Sequence, residues 1–240
     1  MIDAPGDPRL PRLLSQAVHE FRTPLSVILG YLRMVLKDPS NSLDPRYRKM
    51  LEDVEKSVGR IGHLVTEMSE LSQLAKGEIT LRREPVSLPA LLKDAAAALP
   101  EAPDERRTEI TIETGSEQPM IRGDATWLKR AFTSILFALR REVVESDQLV
   151  IREHTGTFKG ERVVWIRLAE PQHIDEPGSL GTFNEWRGGC GLSLITARTI
   201  ISAHGGAIFG PSDQLTQDPD SADWKNETVK AAASIVFPLS

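Results

Sequence analysis

His19-Glu20-Phe21-Arg22-Thr23-Pro24-Leu25 places an imidazole, a carboxylate and a hydroxyl within about a turn and a half of a helix. Around it, Leu10, Leu14, Ala17, Phe21, Pro24, Ile28, Tyr31 and Val35 alternate by four and three, the heptad spacing of a helix with one buried seam. His19 lies two residues from both Ala17 and Phe21, about 200° around the helix from each, so it points away from that seam. Thr23 is four residues on and shares its face. A neutral imidazole is a nucleophile near physiological pH, and an adjacent carboxylate can orient it and accept its proton. The plainer reading of the same residues is an exposed histidine on an amphipathic helix, with Pro24 a chance kink.

Outward from this stretch, the first helix is expected over 8–37, stopped by Asp38-Pro39, with a polar turn over 40–45. A second helix is expected over 46–76, where Leu51, Val54, Val58, Ile61, Val65 and Met68 keep the three-four alternation and Lys76-Gly77 makes a stop. Gly59 and Gly62 each cost that helix about 1 kcal/mol relative to alanine, which points to close packing. Two such helices joined by a short turn form an antiparallel hairpin. One hairpin buries its seam only partly, so a four-helix bundle with a second copy is expected.

After Gly77 the pattern changes. Extended segments are expected at 79–81, 85–86, 108–113 and 120–121, helices at 88–99 and 124–144, and a hairpin of 148–153 with 162–168 around a turn over 156–160. An irregular stretch over 171–189, a helix over 191–203 and strands at 207–209 and 233–237 complete the chain, with a polar insertion over 211–226. The fold class is therefore a helical hairpin (1–77) followed by an α+β two-layer sandwich (78–240).

The 240 residues suffice for one or two domains with a proper core, and 40% hydrophobic with 26% charged residues are those of a globular protein. A net charge of −5 argues against a nucleic-acid binder. Cys190 is the single cysteine, so no intrachain disulfide forms and a reducing compartment is expected. No apolar run reaches about 18 residues and no signal-peptide region opens the chain, so a cytoplasmic location and no membrane segment are expected.

The string 19–25 resembles the H-box of sensor histidine kinases, and the whole of 10–238 resembles that family's phosphoacceptor and ATP-binding domains, the latter of the gyrase and Hsp90 type. The second domain's markers are Gly123-Asp124 leading into Trp127-Leu128-Lys129-Arg130, then Gly189-Cys190-Gly191-Leu192-Ser193-Leu194, then His204-Gly205-Gly206. The resemblance implies the protein-histidine kinase class. His19 would accept the phosphoryl group, Glu20 would be its general base, and Thr23 would orient water for dephosphorylation of the partner. It further implies a homodimer, an aspartate on a response-regulator receiver domain as partner, and ATP with Mg²⁺ as cofactor.

The nucleotide side departs from the family pattern. Two asparagines four residues apart, the second a metal ligand, are replaced by Ser134 and Ala138, and a methyl offers Mg²⁺ no oxygen. No metal ligand is therefore assigned. Arg141 keeps a cation where the family has one near the terminal phosphate. Val164, Ile166 and Leu168 alternate inward and the same phase reaches Glu170, which would replace the adenine-binding aspartate. The glycines that follow it are replaced by Pro171, Gln172 and His173. Gly189 and Gly191 could cradle phosphate, or simply form a glycine-rich helix entry. Cys190 beside Arg187 reads as a spectator thiol, and His173 as a loop histidine. Weak nucleotide binding or none is expected. Three functions follow: a histidine kinase-type signalling protein, a phosphotransferase or regulator phosphatase with a dead nucleotide domain, and a non-catalytic dimerisation partner of another kinase.

Overall fold

The structure is a computed structural model and describes residues 10–38, 43–99, 108–115, 118–142, 146–175, 180–185, 192–211 and 232–239. It divides into two compact units, Met1–Ile79 and Thr80–Ser240.

The first unit is a hairpin of α1 (Leu10–Lys37) and α2 (Pro45–Ala75). Asp44 starts α2: its Oδ1 accepts the Arg46 N–H at 2.8 Å and Pro45 supplies the preset φ of a first helical residue. Arg48 donates to the Leu36 carbonyl at 3.2 Å and Arg33 pairs with Glu55 at 3.6 Å, so the helices run antiparallel. α2 stops where Gly77 adopts φ +68° and the amides of Gly77 and Glu78 turn back to Leu74 and Gln73.

The seam differs from the expected one. In the hairpin α1 buries Val18 and Leu32, with Leu25 half-buried between them, and α2 buries Val58, Val65 and Ser72. Phe21, Ile28 and Tyr31 on α1, and Val54 and Ile61 on α2, stay exposed, as does Pro24. Each helix carries an apolar arc too wide for one partner. A Cβ at Gly59 or Gly62 would meet nothing within 4 Å, so packing inside the hairpin does not account for either glycine.

The second unit is a two-layer sandwich. A six-stranded sheet has the order β2-β4-β5-β8-β7-β6, from β2 (Glu109–Glu113), β4 (Gln148–Phe158), β5 (Glu161–Ala169), β6 (Leu180–Thr182), β7 (Ala207–Pro211) and β8 (Ala232–Pro238). Only β2 and β4 pair in parallel; the other neighbours are antiparallel. β1 (Glu84–Ser87) and β3 (Met120–Gly123) form a separate two-stranded sheet. One face of the large sheet presents Leu149, Ile151, Val164, Ile166, Leu168, Ile235 and Phe237. The buried sides of α3 (Leu88–Ala97), α4 (Ala125–Glu142) and α5 (Ser193–Ala203) complete that core.

Several boundaries move. The hairpin strands run longer than the expected 148–153 and 162–168, because Lys159 (φ +51°) and Gly160 (φ +86°) turn the chain in two residues. The expected strand at 79–81 is absent: the Arg82 N–H goes to the Asp124 carboxylate (3.1 Å) and the strand begins at Glu84. β6 lies within the stretch expected to be irregular. The polar insertion lies almost wholly outside the described residues, as does the loop expected at 101–104.

Candidate functional site

On α1 the side chains of His19, Glu20, Arg22 and Thr23 are all exposed. Helical geometry puts Thr23 about 6 Å along the axis and about 40° around from His19, with Glu20 about 100° to the side. His19 is rotated by about 100° from Val18, whereas Phe21 and Ile28 are rotated by about 60° the other way from the packed row. The imidazole and the open apolar flank therefore occupy opposite sides of the hairpin. Pro24 sits inside a helix that continues through it. Having no N–H, it leaves the Glu20 carbonyl without its usual partner and places any bend at the acidic neighbour of His19. Ser26 adds a bond from its hydroxyl to the Arg22 carbonyl (2.9 Å).

The positions expected to touch nucleotide are distributed differently. Ala138 is 1% exposed and contributes its methyl to the core, while Ser134 beside it is half-buried. Arg141 is exposed, its guanidinium 5.9 Å from the Phe137 ring centre. Glu170 follows the inward phase of β5 and is buried, and its Oε1 accepts both the Ser146 N–H (2.9 Å) and the Ser146 hydroxyl (3.1 Å). After it, Pro171–His173 form a single 3₁₀ turn closed by the His173 N–H to the Glu170 carbonyl (2.9 Å). Ile174 is then buried against Val150, Ala169 and Ala232. The Pro-Gln-His sequence thus makes a closed 3₁₀ turn where the resemblance implies an open glycine turn, and Ile174 packs on the sheet face opposite to that of Leu168. Arg187, Gly189, Cys190 and Gly191 lie outside the described residues. Among the described residues no group of three or more His, Cys, Asp or Glu could hold a metal ion, and no helix is long and apolar enough to cross a membrane.

One constellation is built from residues that stand apart in the sequence as Gly123-Asp124 and His204-Gly205-Gly206. Asp124 starts α4 by accepting the amides of Thr126 (3.1 Å) and Trp127 (3.3 Å) on Oδ1, and the Arg82 amide on Oδ2. Its own N–H donates to His204 Nε2 at 3.0 Å, and His204 Nδ1 lies 2.7 Å from the Ile200 carbonyl. An Nε2 that accepts fixes the tautomer, with the proton on Nδ1. Gly123 lets the ring approach: a Cβ there would lie 2.9 Å from His204 Cδ2 and 2.5 Å from Leu128 Cδ1. Burial lowers the His204 pKa, reinforced by the Arg83 charge; the bond to Ile200 and the Asp124 carboxylate oppose this. Gly205 takes φ +77° to end α5, and Gly206 has no room for a Cβ, which would sit 2.6 Å from the Phe237 ring.

Residues 10–77 match the His Kinase A (phospho-acceptor) domain family. The chain is 25% identical over 208 residues to the signal transduction histidine-protein kinase BarA of Escherichia coli K12, covering 81% of this chain and 22% of BarA. It is 26% identical over 208 residues to the cell-division control histidine kinase PdhS of Brucella anthropi, covering 80% of this chain and 20% of PdhS. The crystal structure of full-length ShkA in complex with AMPPNP shares the fold, with a TM-score of 0.62, 21% identity and 96% of this chain against 46% of that one. The chain thus spans about a fifth of the length of BarA and PdhS. Hairpin, sandwich and matches together define a His Kinase A (phospho-acceptor) hairpin followed by an α+β sandwich, with the fold shared with ShkA. Over about four fifths of its length the chain is similar to sensor histidine kinases.

Proposed function

We propose that this chain carries a phosphoryl group on His19 and exchanges it with an aspartate of a response-regulator receiver domain. The observation that carries the reading is the placement of His19: solvent-exposed, with Thr23 one turn away, on the side of the hairpin opposite the open apolar flank. In the exchange an imidazole nitrogen attacks phosphorus, an N–P bond forms, and the P–O bond to the aspartate breaks so that the carboxylate leaves. Glu20 takes the imidazole proton. In the phosphatase direction the Thr23 hydroxyl orients a water against the aspartyl phosphate. Below His19 the exposed Val27 and Met34 continue the Thr23 row and give the receiver domain an apolar footing.

The hairpin acts as a homodimer in this reading. In both helices the exposed residues (Phe21 and Ile28; Val54 and Ile61) are rotated by about 40–60° in the same sense from the packed row. Because α2 runs antiparallel to α1, these flanks share one side of the hairpin, a second apolar face suited to a second copy.

Residues 1–77 are the dimerisation and phosphotransfer domain, and 78–240 a histidine kinase-like ATPase domain. The described residues at its adenine and metal positions do not fit ATP with Mg²⁺: Glu170 is engaged by Ser146, a closed Pro-Gln-His turn replaces the glycines after it, and Ala138 has no ligand atom. They favour a second reading in which the phosphoryl group on His19 comes from a phosphorylated partner. The test incubates purified chain with a labelled phosphorylated receiver domain. Label appearing on the wild type but not on His19→Gln supports the proposal; equal labelling of both contradicts it.

A further inference from the structure

Going beyond that reading, we infer that Asp124 and His204 form a latch that decides where the segment leaving α2 becomes fixed to the second unit. α2 ends at Gly77, whose amide and that of Glu78 close its last turn. Beyond it the Arg82 amide donates to Asp124 Oδ2 at 3.1 Å, and the Arg83 guanidinium donates to the Ala203 carbonyl at 2.7 Å. Arg83 there meets the negative end of the α5 dipole. Two helix ends thus grip two successive linker residues: the start of α4 through Asp124 and the end of α5 through Ala203.

His204 holds those two ends together. Its ring is buried (4% exposed), takes the Asp124 N–H on Nε2 and gives its Nδ1 proton to Ile200. The groups facing it from the elements packed around it are Arg83 of the linker, Asp124 at the start of α4, and the apolar Leu128 and Gly123. A second proton on the ring would sit on Nε2 and confront the Asp124 N–H, donor against donor. It would also place a second positive charge beside Arg83. The Asp124 carboxylate offsets part of that repulsion but is already engaged with three amides. Protonation therefore frees Arg82 and Arg83 and moves the first fixed point of the linker further along the chain.

Amide hydrogen exchange of the full chain, read by NMR as protection factors, tests the latch. The expected result is that protection at Arg82 and Asp124 falls about tenfold or more between about pH 7.5 and about pH 5, while Ile151 and Ile166 in the central strands hold theirs. In His204→Gln the pH dependence at Arg82 disappears. Arg83→Gln, an exposed substitution that leaves the core untouched, removes the charge opposing the second proton. It moves the midpoint upward. Arg82 protection that is flat with pH in the wild type overturns the inference. So does a midpoint in Arg83→Gln that stays put or moves downward.

Discussion

The two units solve the burial of apolar surface in opposite ways. The sandwich closes on itself: Phe132, Leu136, Ile151, Ile166 and Phe237 are at most 1% exposed, and glycine is used where nothing larger fits, as at Gly206. The hairpin leaves Phe21, Ile28, Val54 and Ile61 open, and its glycines face empty space. The same contrast runs through the polar groups. On α1 the imidazole, carboxylate and hydroxyl point outward, whereas in the sandwich Glu170, Asp124 and His204 are tied to neighbours. A surface that is unfinished by itself is one built for partners, and a site whose polar atoms are already paired has little left for a ligand.

The sharpest way to break this comparison is to spoil the open flank. Ile28→Asp places a charge on the proposed dimer face twice per dimer, and sedimentation should show dimer dissociation strengthened roughly a hundredfold or more. Unfolding of the sandwich should be unchanged. If Glu170 is structural, Glu170→Ala orphans the Ser146 amide and hydroxyl, and urea unfolding should show the sandwich destabilised by about 2–3 kcal/mol.

A smaller effect of opposite sign is expected at Glu153, whose two carboxylate oxygens are buried on β4 with no hydrogen-bond partner among the described residues. Burial raises its pKa, so the folded state holds the proton to higher pH than the unfolded chain does. Its contribution is whole below the pKa of a free glutamate and is lost as pH rises through the folded value. Glu153→Gln should therefore stabilise the sandwich by about 1–2 kcal/mol at neutral pH and by little near pH 4, as urea titrations at the two pH values will show. The mildest change sharpens the contrast between the glycines. Gly59→Ala meets no atom within 4 Å and should raise the thermal stability of the hairpin by up to about 1 kcal/mol, read by circular dichroism.

Periodicity and punctuation revealed the element order, because Asp44-Pro45, Lys76-Gly77, Asp124 and Gly205 mark helix ends by their own chemistry. The phase of the α1 seam was not legible. Leu14-Ala17-Phe21-Pro24-Ile28-Tyr31 and Leu14-Val18-Phe21-Leu25-Ile28-Leu32 both obey heptad spacing, and only the position of α2 selects Val18, Leu25 and Leu32. At the site, exposure of His19 followed from its angle to the apolar row. The inward phase of Glu170 was equally readable, but its engagement by Ser146 depends on a residue 24 positions away, which no local pattern reports. Gly123-Asp124 and His204-Gly205-Gly206 were visible as separate markers. Their contact across 80 residues was not.

The proposed function sets an exposed acceptor on α1 against adenine and metal positions that do not fit ATP. It is tested most directly by one labelling assay with two donors: labelled ATP with Mg²⁺, and a labelled phosphorylated receiver domain. Label on His19 is expected from the receiver alone. Label from ATP on His19, of comparable extent, would contradict it.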